Sequence, residues 1–113
     1  MSYRLRIRLA AEADVAEAAQ WYNERQLGLG EKFIREVDQA IARILENPLA
    51  FPVILRRHEV RRVLTKRFPY RIFFSLKGDA VVLHAVLSRA PRRSALEGPV
   101  VSMGVSAQTS SKF

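Results

Sequence analysis

The residues in this sequence that are best able to do chemistry are cations. They cluster around the stretch TKRFPYRIFF, where basic side chains are interleaved with aromatic ones. Lysine and arginine bind phosphates and carboxylates and stabilise developing negative charge, but a guanidinium stays protonated and cannot act as a base. The candidate binding residues are Arg61, Arg62, Lys66, Arg67, Arg71, Phe73, Arg89, Arg92 and Arg93.

Few residues could complete an active site around these cations. His58 and Glu59 are adjacent, and adjacent residues of a strand point to opposite faces. His84 lies in the apolar run VVLHAVL, where a hydrogen-bonded core histidine is the better explanation. With no cysteine and two histidines at no ligand spacing, we expect neither a metal nor a cofactor. The cations therefore favour an anion-binding surface over an active site.

The positive charge is confined to one third of the chain. Residues 1–55 carry seven Lys/Arg and eight Asp/Glu, a net charge of −1. Residues 56–93 carry eleven Lys/Arg and only Glu59 and Asp79 as acids, a net charge of +9. Such asymmetry favours an anionic partner, either a nucleic acid or an acidic protein segment, although a solvated basic face would give the same pattern.

Two helices and four strands are predicted to position these residues. The alternation of YRLRIRL predicts a strand over about residues 3–9, with arginines on its outer face. Apolar residues at helical spacing predict helices over about 10–25 and 31–46, separated by the glycines of QLGLG. The segment AFPVI is predicted to be a connection. Strands follow at about 59–65, 69–76 and 80–88, and the last two are joined by the tight turn KGD.

These elements predict one α+β domain of order β-α-α-β-β-β, with a helical hairpin packed on a small, mainly antiparallel sheet. In the strand 69–76, the pleat places Arg71, Phe73 and Ser75 on one face, and the other face can pack beneath the helices. Trp21 and Tyr22 are expected in the core. The domain is predicted to span residues 1–90, and residues 91–113 a basic and then flexible tail. No apolar run is long enough to cross a membrane.

The order of these elements resembles the RelE/ParE superfamily of toxins from bacterial type II toxin–antitoxin modules, and within it the ParE-like branch. The matching features are the alternating first strand, the helix ending in Trp21 and Tyr22, the glycine break, and the helix exit NPLAFP. The block VRRVLTKRFPYRIFFSLKGDAVVLHAVL is the closest match. Together they cover about residues 3–90.

The resemblance implies a compact cytoplasmic toxin of the plasmid-stabilisation type, neutralised by a cognate antitoxin whose C-terminal segment folds around it. ParE-like members inhibit DNA gyrase without being enzymes, and this is the function we expect. RelE-like members instead cleave mRNA on the ribosome without a metal. In that alternative, Arg71 matches a phosphate-binding arginine and Lys66 is a second catalytic candidate.

Two departures from the family patterns bear on activity. RelE-like nucleases place a functional tyrosine near the C-terminus, whereas no tyrosine follows Tyr70 here. Many ParE-like chains run from the last strand into a histidine, basic residues and Asp-Pro, whereas this chain has Ser88 and LSRAPRR. The first departure favours the ParE-like activity. The second keeps open a third hypothesis, a detoxified member that still binds its antitoxin.

Overall fold

The computed structural model describes residues 2–89, which form two helices and five strands. One-turn 3-10 helices lie at Pro48–Ala50 and Arg56–His58. The main elements are β1 (Arg4–Ile7), α1 (Leu9–Arg25), α2 (Leu29–Glu46), β2 (Val53–Leu55), β3 (Val60–Leu64), β4 (Tyr70–Lys77) and β5 (Ala80–Ser88). In this part of the chain no helix is long and apolar enough to cross a membrane.

The five strands form one mixed sheet in the order β1-β5-β4-β3-β2. Strand β1 runs parallel to β5, and all other pairs are antiparallel. The predicted α+β fold is confirmed, and β5 is central as its apolar sequence indicates. The connection predicted at AFPVI is wrong in part, because Val53–Leu55 pairs with β3 as a short, irregular edge strand. Three residues beside a proline are too few to show a period.

The predicted hairpin between β4 and β5 is confirmed. Its turn contains Gly78, whose φ of 62° lies in the left-handed region that glycine adopts without strain. Arg4 of β1 anchors this turn, because its backbone N–H donates to the Asp79 carbonyl at 2.8 Å. Its guanidinium also forms an ion pair with the Asp79 carboxylate at 3.1 Å. The turn therefore sets the register of β1 against β5.

Both helices pack on the same face of the sheet. On α2 the predicted apolar stripe is confirmed, since Phe33, Val37, Ala40, Ile41 and Ile44 are all buried. Beneath it lie the alternate β4 residues Tyr70, Ile72 and Phe74, at most 2 % exposed. An aromatic cluster closes one end of this core, with the rings of Tyr22, Phe33, Phe68 and Tyr70 in mutual contact at 4.8–6.3 Å.

The aromatic residues of α1 are partly in the core, as predicted. Tyr22 is a member of the aromatic cluster. Trp21 is half-buried beside it at a ring distance of 5.0 Å, and the Arg25 guanidinium covers the other side of the indole at 3.8 Å. Both rings are therefore engaged within the protein, which removes the stacking platform that nucleic acid bases would need.

The two helices approach each other most closely at Gly30. A Cβ on this residue would lie 2.3 Å from the Ala19 carbonyl oxygen. The turn before it is held by Asn23, whose Oδ1 accepts the N–H groups of Gly28 at 3.1 Å and Gly30 at 2.8 Å. This side chain of α1 thus satisfies backbone donors at the start of α2 that have no partner within the helix.

The side chain of Asp14 ties α1 to the central strand. Its Oδ2 accepts the Val86 N–H at 2.9 Å, beyond the point where β1 ends and leaves that edge of β5 unpaired. Burial raises the pKa of Asp14 to about 6, the Val86 hydrogen bond opposes the rise, and Glu17 adds to it. The carboxylate therefore completes the sheet edge at a desolvation cost.

We expect Gly30→Ala to destabilise the fold by about 2 kcal/mol or more, because the new methyl group would collide with backbone. The loss should appear although alanine is the better helix former by about 1 kcal/mol. Urea denaturation measures it. The control is Gly78→Ala, which meets nothing within 4 Å and pays only the left-handed backbone cost of about 1 kcal/mol. A Gly30→Ala protein as stable as the wild type would contradict this packing.

Replacing Asp14 should change how stability depends on pH. Between pH 3.8 and about 6 the folded carboxyl keeps a proton that the unfolded chain has lost, so its ionisation reduces stability as pH rises. Asp14→Asn should therefore be more stable than the wild type above pH 6, on the order of 1 kcal/mol for a partly exposed group.

The stability gain should vanish below pH 4, and thermal denaturation across pH 4–8 measures both limits. Glu12→Gln, an exposed neutralisation on the same helix, is the matched control. Parallel curves for wild type and Asp14→Asn would exclude this role.

Candidate partner-binding surfaces

The face of the sheet that the helices leave uncovered is the first candidate surface. We call it the open face and define it by six side chains. Strand pairing places them there together, because cross-strand partners project to the same side of a sheet. They are Arg6, Arg62, Leu64, Arg71, Phe73 and Leu87. The predicted separation of Arg71 and Phe73 from the buried side of β4 is therefore confirmed.

Arg71 lies at the middle of an apolar part of the open face. Its cross-strand neighbours are Leu64 on β3 and Leu87 on β5, which are 38 % and 44 % exposed. Its guanidinium donates to the Arg89 carbonyl at 3.2 Å and lies near the end of the described chain. The residue is half-buried and forms no ion pair with Glu59 or any other acid in residues 2–89. A cation framed by leucines suits a partner with one acidic group set among apolar ones.

The two arginines of β3 lie on opposite faces of the sheet. Arg62 pairs with Phe73 on the open face, and its Nε is buried without a hydrogen-bond partner. Arg61 pairs with Phe74 on the helix side, where its guanidinium donates to the Phe51 carbonyl at 2.6 Å. Arg61 therefore stabilises the segment between α2 and β3 and is separated from the other predicted binding residues.

A β-bulge in β5 brings His84 next to Ser75. Phe73 pairs with Ala85 and Phe74 with Leu83, so His84 is an extra residue in its strand. Its Nε2 lies 2.9 Å from Ser75 Oγ, which donates to the His58 carbonyl at 3.3 Å. Burial, with the positive charge of Arg8 and Lys77, lowers the pKa of His84. This neutral histidine is hydrogen-bonded, as the sequence predicts.

No group on the open face is placed to take a proton from a substrate bound at Arg71, within the described part of the chain. Nε2 of His84 is occupied by Ser75, and Tyr70 points into the core. His58 and Glu59 do not share a strand, which corrects the predicted bounds. His58 ends a 3-10 helix, and Glu59 has a φ of 50°. Residues 2–89 contain no cluster of three or more metal-ligating side chains.

The predicted binding residues Lys66 and Arg67 lie in a different place from Arg71. They border a cleft of about 420 Å³ beside α2, which we call the basic cleft. Glu36 forms its floor, and its Oε2 accepts the backbone N–H groups of Lys66 at 2.8 Å and Arg67 at 2.9 Å. The lining is completed by Lys32, Arg35 and Gln39. The +9 segment is thus divided between two surfaces.

An apolar groove of about 280 Å³ lies between the two helices and the end of β1. Ile7 and Ile34 on its walls are 44 % and 38 % exposed, and Leu9 beside it is 82 % exposed. Ile34, Val37 and Ile41 continue the groove along α2 at helical spacing. Leu27, a predicted partner contact, is exposed separately in the helix–helix turn.

The remaining predicted residues are at the C-terminal end. Arg89 is the last described residue, and its backbone N–H donates to Pro69 at 2.6 Å. Arg92, Arg93 and the predicted flexible tail lie outside the described residues. The basic 89–93 cluster stays a prediction.

Sequence reasoning missed the basic cleft and the apolar groove, although α2 contains a signal for each. Lys32, Glu36, Gln39 and Arg43 recur at spacings of four, three and four, which places them in one polar row along the helix. Ile34 widens the apolar stripe beyond what one sheet contact needs. Which loop would meet the polar row was not evident from spacing alone.

Residues 5–92 match the family model described as the ParE toxin of the type II toxin–antitoxin system parDE. The match covers most of the chain, and the chain belongs to this family of toxins. No curated protein sequence resembles the chain at a significant level.

Two solved structures share the fold. One is a chromosomal ParDE toxin–antitoxin system from P. aeruginosa, with a TM-score of 0.69 and 15 % identity over 78 % of this chain and 97 % of that one. The other is the RelBE2 toxin–antitoxin complex from Mycobacterium tuberculosis, with a TM-score of 0.54 and 20 % identity over 79 % and 100 %. At these identities the likeness concerns the arrangement of helices and strands.

Glu36→Ala should destabilise the protein by about 2 kcal/mol, because it leaves two backbone N–H groups without an acceptor. The amide hydrogens of Lys66 and Arg67 should also exchange faster, and urea denaturation with hydrogen exchange measures both effects. Glu46→Ala, at an exposed position of the same helix, should stay within about 0.5 kcal/mol of the wild type. Equal effects of the two substitutions would show that Glu36 does not hold the loop.

Proposed function

We propose that this ParE-family toxin inhibits DNA gyrase by binding it, and that an antitoxin neutralises the toxin through the apolar groove. Family membership over residues 5–92 is the observation that carries the proposal. The chemistry of the described surfaces supports each of its two parts.

The open face suits a protein target better than a substrate. It offers Arg71 and Arg62 for acidic groups, and Phe73, Leu64 and Leu87 for apolar contact. Aromatic residues and arginines surrounded by apolar area are typical of energetically important interface positions. Cleavage of RNA would require a proton acceptor beside Arg71, and the described residues place none there.

The mRNA endonuclease alternative requires Arg71 to act with Lys66 or with the 89–93 cluster. Lys66 lies on the α2 side, in the basic cleft, whereas Arg71 lies on the open face. The likeness to RelBE2 concerns the fold and adds no catalytic group. The 89–93 cluster supplies guanidinium groups, which do not act as bases at neutral pH.

The apolar groove suits an antitoxin segment that folds on binding. Both solved relatives are toxin–antitoxin systems, and a groove between two helices accepts an amphipathic helix. Covering Ile7, Leu9 and Ile34 would bury exposed apolar surface at about 25 cal/mol per Å². The strong positive charge of residues 56–93 would attract an acidic segment and raise its association rate.

The test is gyrase supercoiling of relaxed plasmid by purified enzyme, with and without the antitoxin encoded beside this chain. We expect inhibition with accumulated linear DNA, reversed by the antitoxin. Arg71→Ala with Phe73→Ala should weaken inhibition at least about tenfold and leave antitoxin affinity unchanged. Ile34→Glu should show the opposite pattern, with full inhibition that the antitoxin no longer reverses.

Each of these variants is the control for the other, and circular dichroism confirms that both are folded. Unchanged gyrase activity at micromolar toxin would contradict the proposal. In that case, cleavage of mRNA on translating ribosomes would establish the nuclease alternative. Antitoxin binding without either activity and without growth arrest on expression would establish a detoxified member.

A further inference from the structure

The basic cleft collects four cations around one buried carboxylate. Lys32 and Arg35 of α2 face Lys66 and Arg67 of the β3–β4 connection across a space of about 420 Å³. Glu36 is 8 % exposed, and its Oε2 is already the acceptor for two backbone N–H groups. The lining carries a formal net charge of +3.

None of the four cations is neutralised by an ion pair within the described part of the chain. The ion pairs of residues 2–89 join Arg4 to Asp79 and Arg25 to Glu24, at other places on the surface. The cleft is therefore a concentration of positive charge that favours binding of an anion.

The backbone around the cleft is held in place before any ligand binds. Thr65 Oγ1 accepts the Tyr70 N–H at 3.2 Å and donates to the Phe68 carbonyl. Arg43 of α2 donates to the Leu64 carbonyl at 3.2 Å, and the Phe68 ring is fixed in the aromatic cluster. Only the ends of the lysine and arginine side chains would lose freedom on binding, which lowers the entropic cost.

The composition of the lining distinguishes between the possible anionic partners. Every side chain that lines the cleft is charged or an amide, and none is apolar or aromatic. A peptide segment needs apolar anchors to offset its ordering, and unstacked bases need aromatic rings. The phosphates of a nucleic acid duplex need neither, because lysine and arginine bind them by charge and hydrogen bonds alone.

We propose that the basic cleft binds the sugar–phosphate backbone of a nucleic acid duplex, without reading its sequence. This goes beyond gyrase inhibition, since it gives the toxin its own nucleic acid contact. Arg35 and Arg67 can each hold a phosphate through two hydrogen bonds, and the two lysines supply point charges.

The experiment measures fluorescence anisotropy of labelled 20-base-pair duplexes, one of DNA and one of RNA, with the purified full chain alone. It compares wild type with Lys32→Ala/Lys66→Ala over a range of salt concentrations. The control is Arg56→Ala/Arg57→Ala, which removes the same charge from exposed residues of the 3-10 helix before β3. That helix and the cleft lie at opposite ends of β3.

We expect the cleft variant to bind at least about tenfold more weakly at 0.1 M salt. The slope of log affinity against log salt should become shallower by about 1.8, because the variant neutralises two fewer phosphates. The control pair should change both quantities clearly less. A duplex preference would identify the source of the phosphates: tighter binding of DNA indicates the gyrase substrate, and tighter binding of RNA a ribosomal one.

Equal losses of affinity in the cleft and control variants would overturn the proposal, because the affinity would then reflect overall net charge. Polyglutamate displacing the duplex at equal charge concentration would also overturn it, in favour of an acidic protein segment. Since neither gyrase nor antitoxin is present, these outcomes are independent of the supercoiling result.

Discussion

The helical hairpin covers only one face of the sheet, and the placement of all three candidate surfaces depends on this one-sided packing. The pleat of β4 sends Tyr70, Ile72 and Phe74 under the helices, where they are buried. It necessarily sends Arg71 and Phe73 the other way. A second helical layer would have to desolvate these arginines without acids to pair them, at a cost that the apolar contact would not offset. The open face therefore stays available to a partner.

Two carboxylates fix the helices to the strands that they cover. Asp14 of α1 completes the free edge of β5 at Val86, and Glu36 of α2 holds the connection that follows β3. Each takes the place of a strand or turn that would otherwise satisfy those N–H groups. These contacts determine where the apolar groove and the basic cleft form, because each site lies beside one of these contacts.

The separation of the surfaces has a functional consequence. An anionic or apolar segment in the groove between the helices need not compete directly with a target on the open face, and the basic cleft lies apart from both. One small domain thus has room for an antitoxin, a protein target and a polyanion. Their mutual exclusion would then be decided by how far each partner extends beyond its own surface.

The sequence by itself determined the helical hairpin, three of the five strands after revision of their ends by one or two residues, and the first strand with its alternating arginines. It also determined which β4 residues face the core, since apolar periodicity reports burial directly. It did not determine β2, which is too short to have a period. Nor did it reveal the bulge at His84, which depends on the fit between two strands.

Only the tertiary structure decided how the basic residues are grouped. Sequence order places Arg61, Lys66, Arg67 and Arg71 in one run, yet Arg61 reaches the helix side, Lys66 and Arg67 the basic cleft, and Arg71 the open face. Lys32 and Arg35 join the cleft from more than thirty positions away. The physical reason is that periodicity tells which side of an element is buried, whereas long-range contacts such as that of Glu36 with the Lys66 and Arg67 amides decide which elements meet.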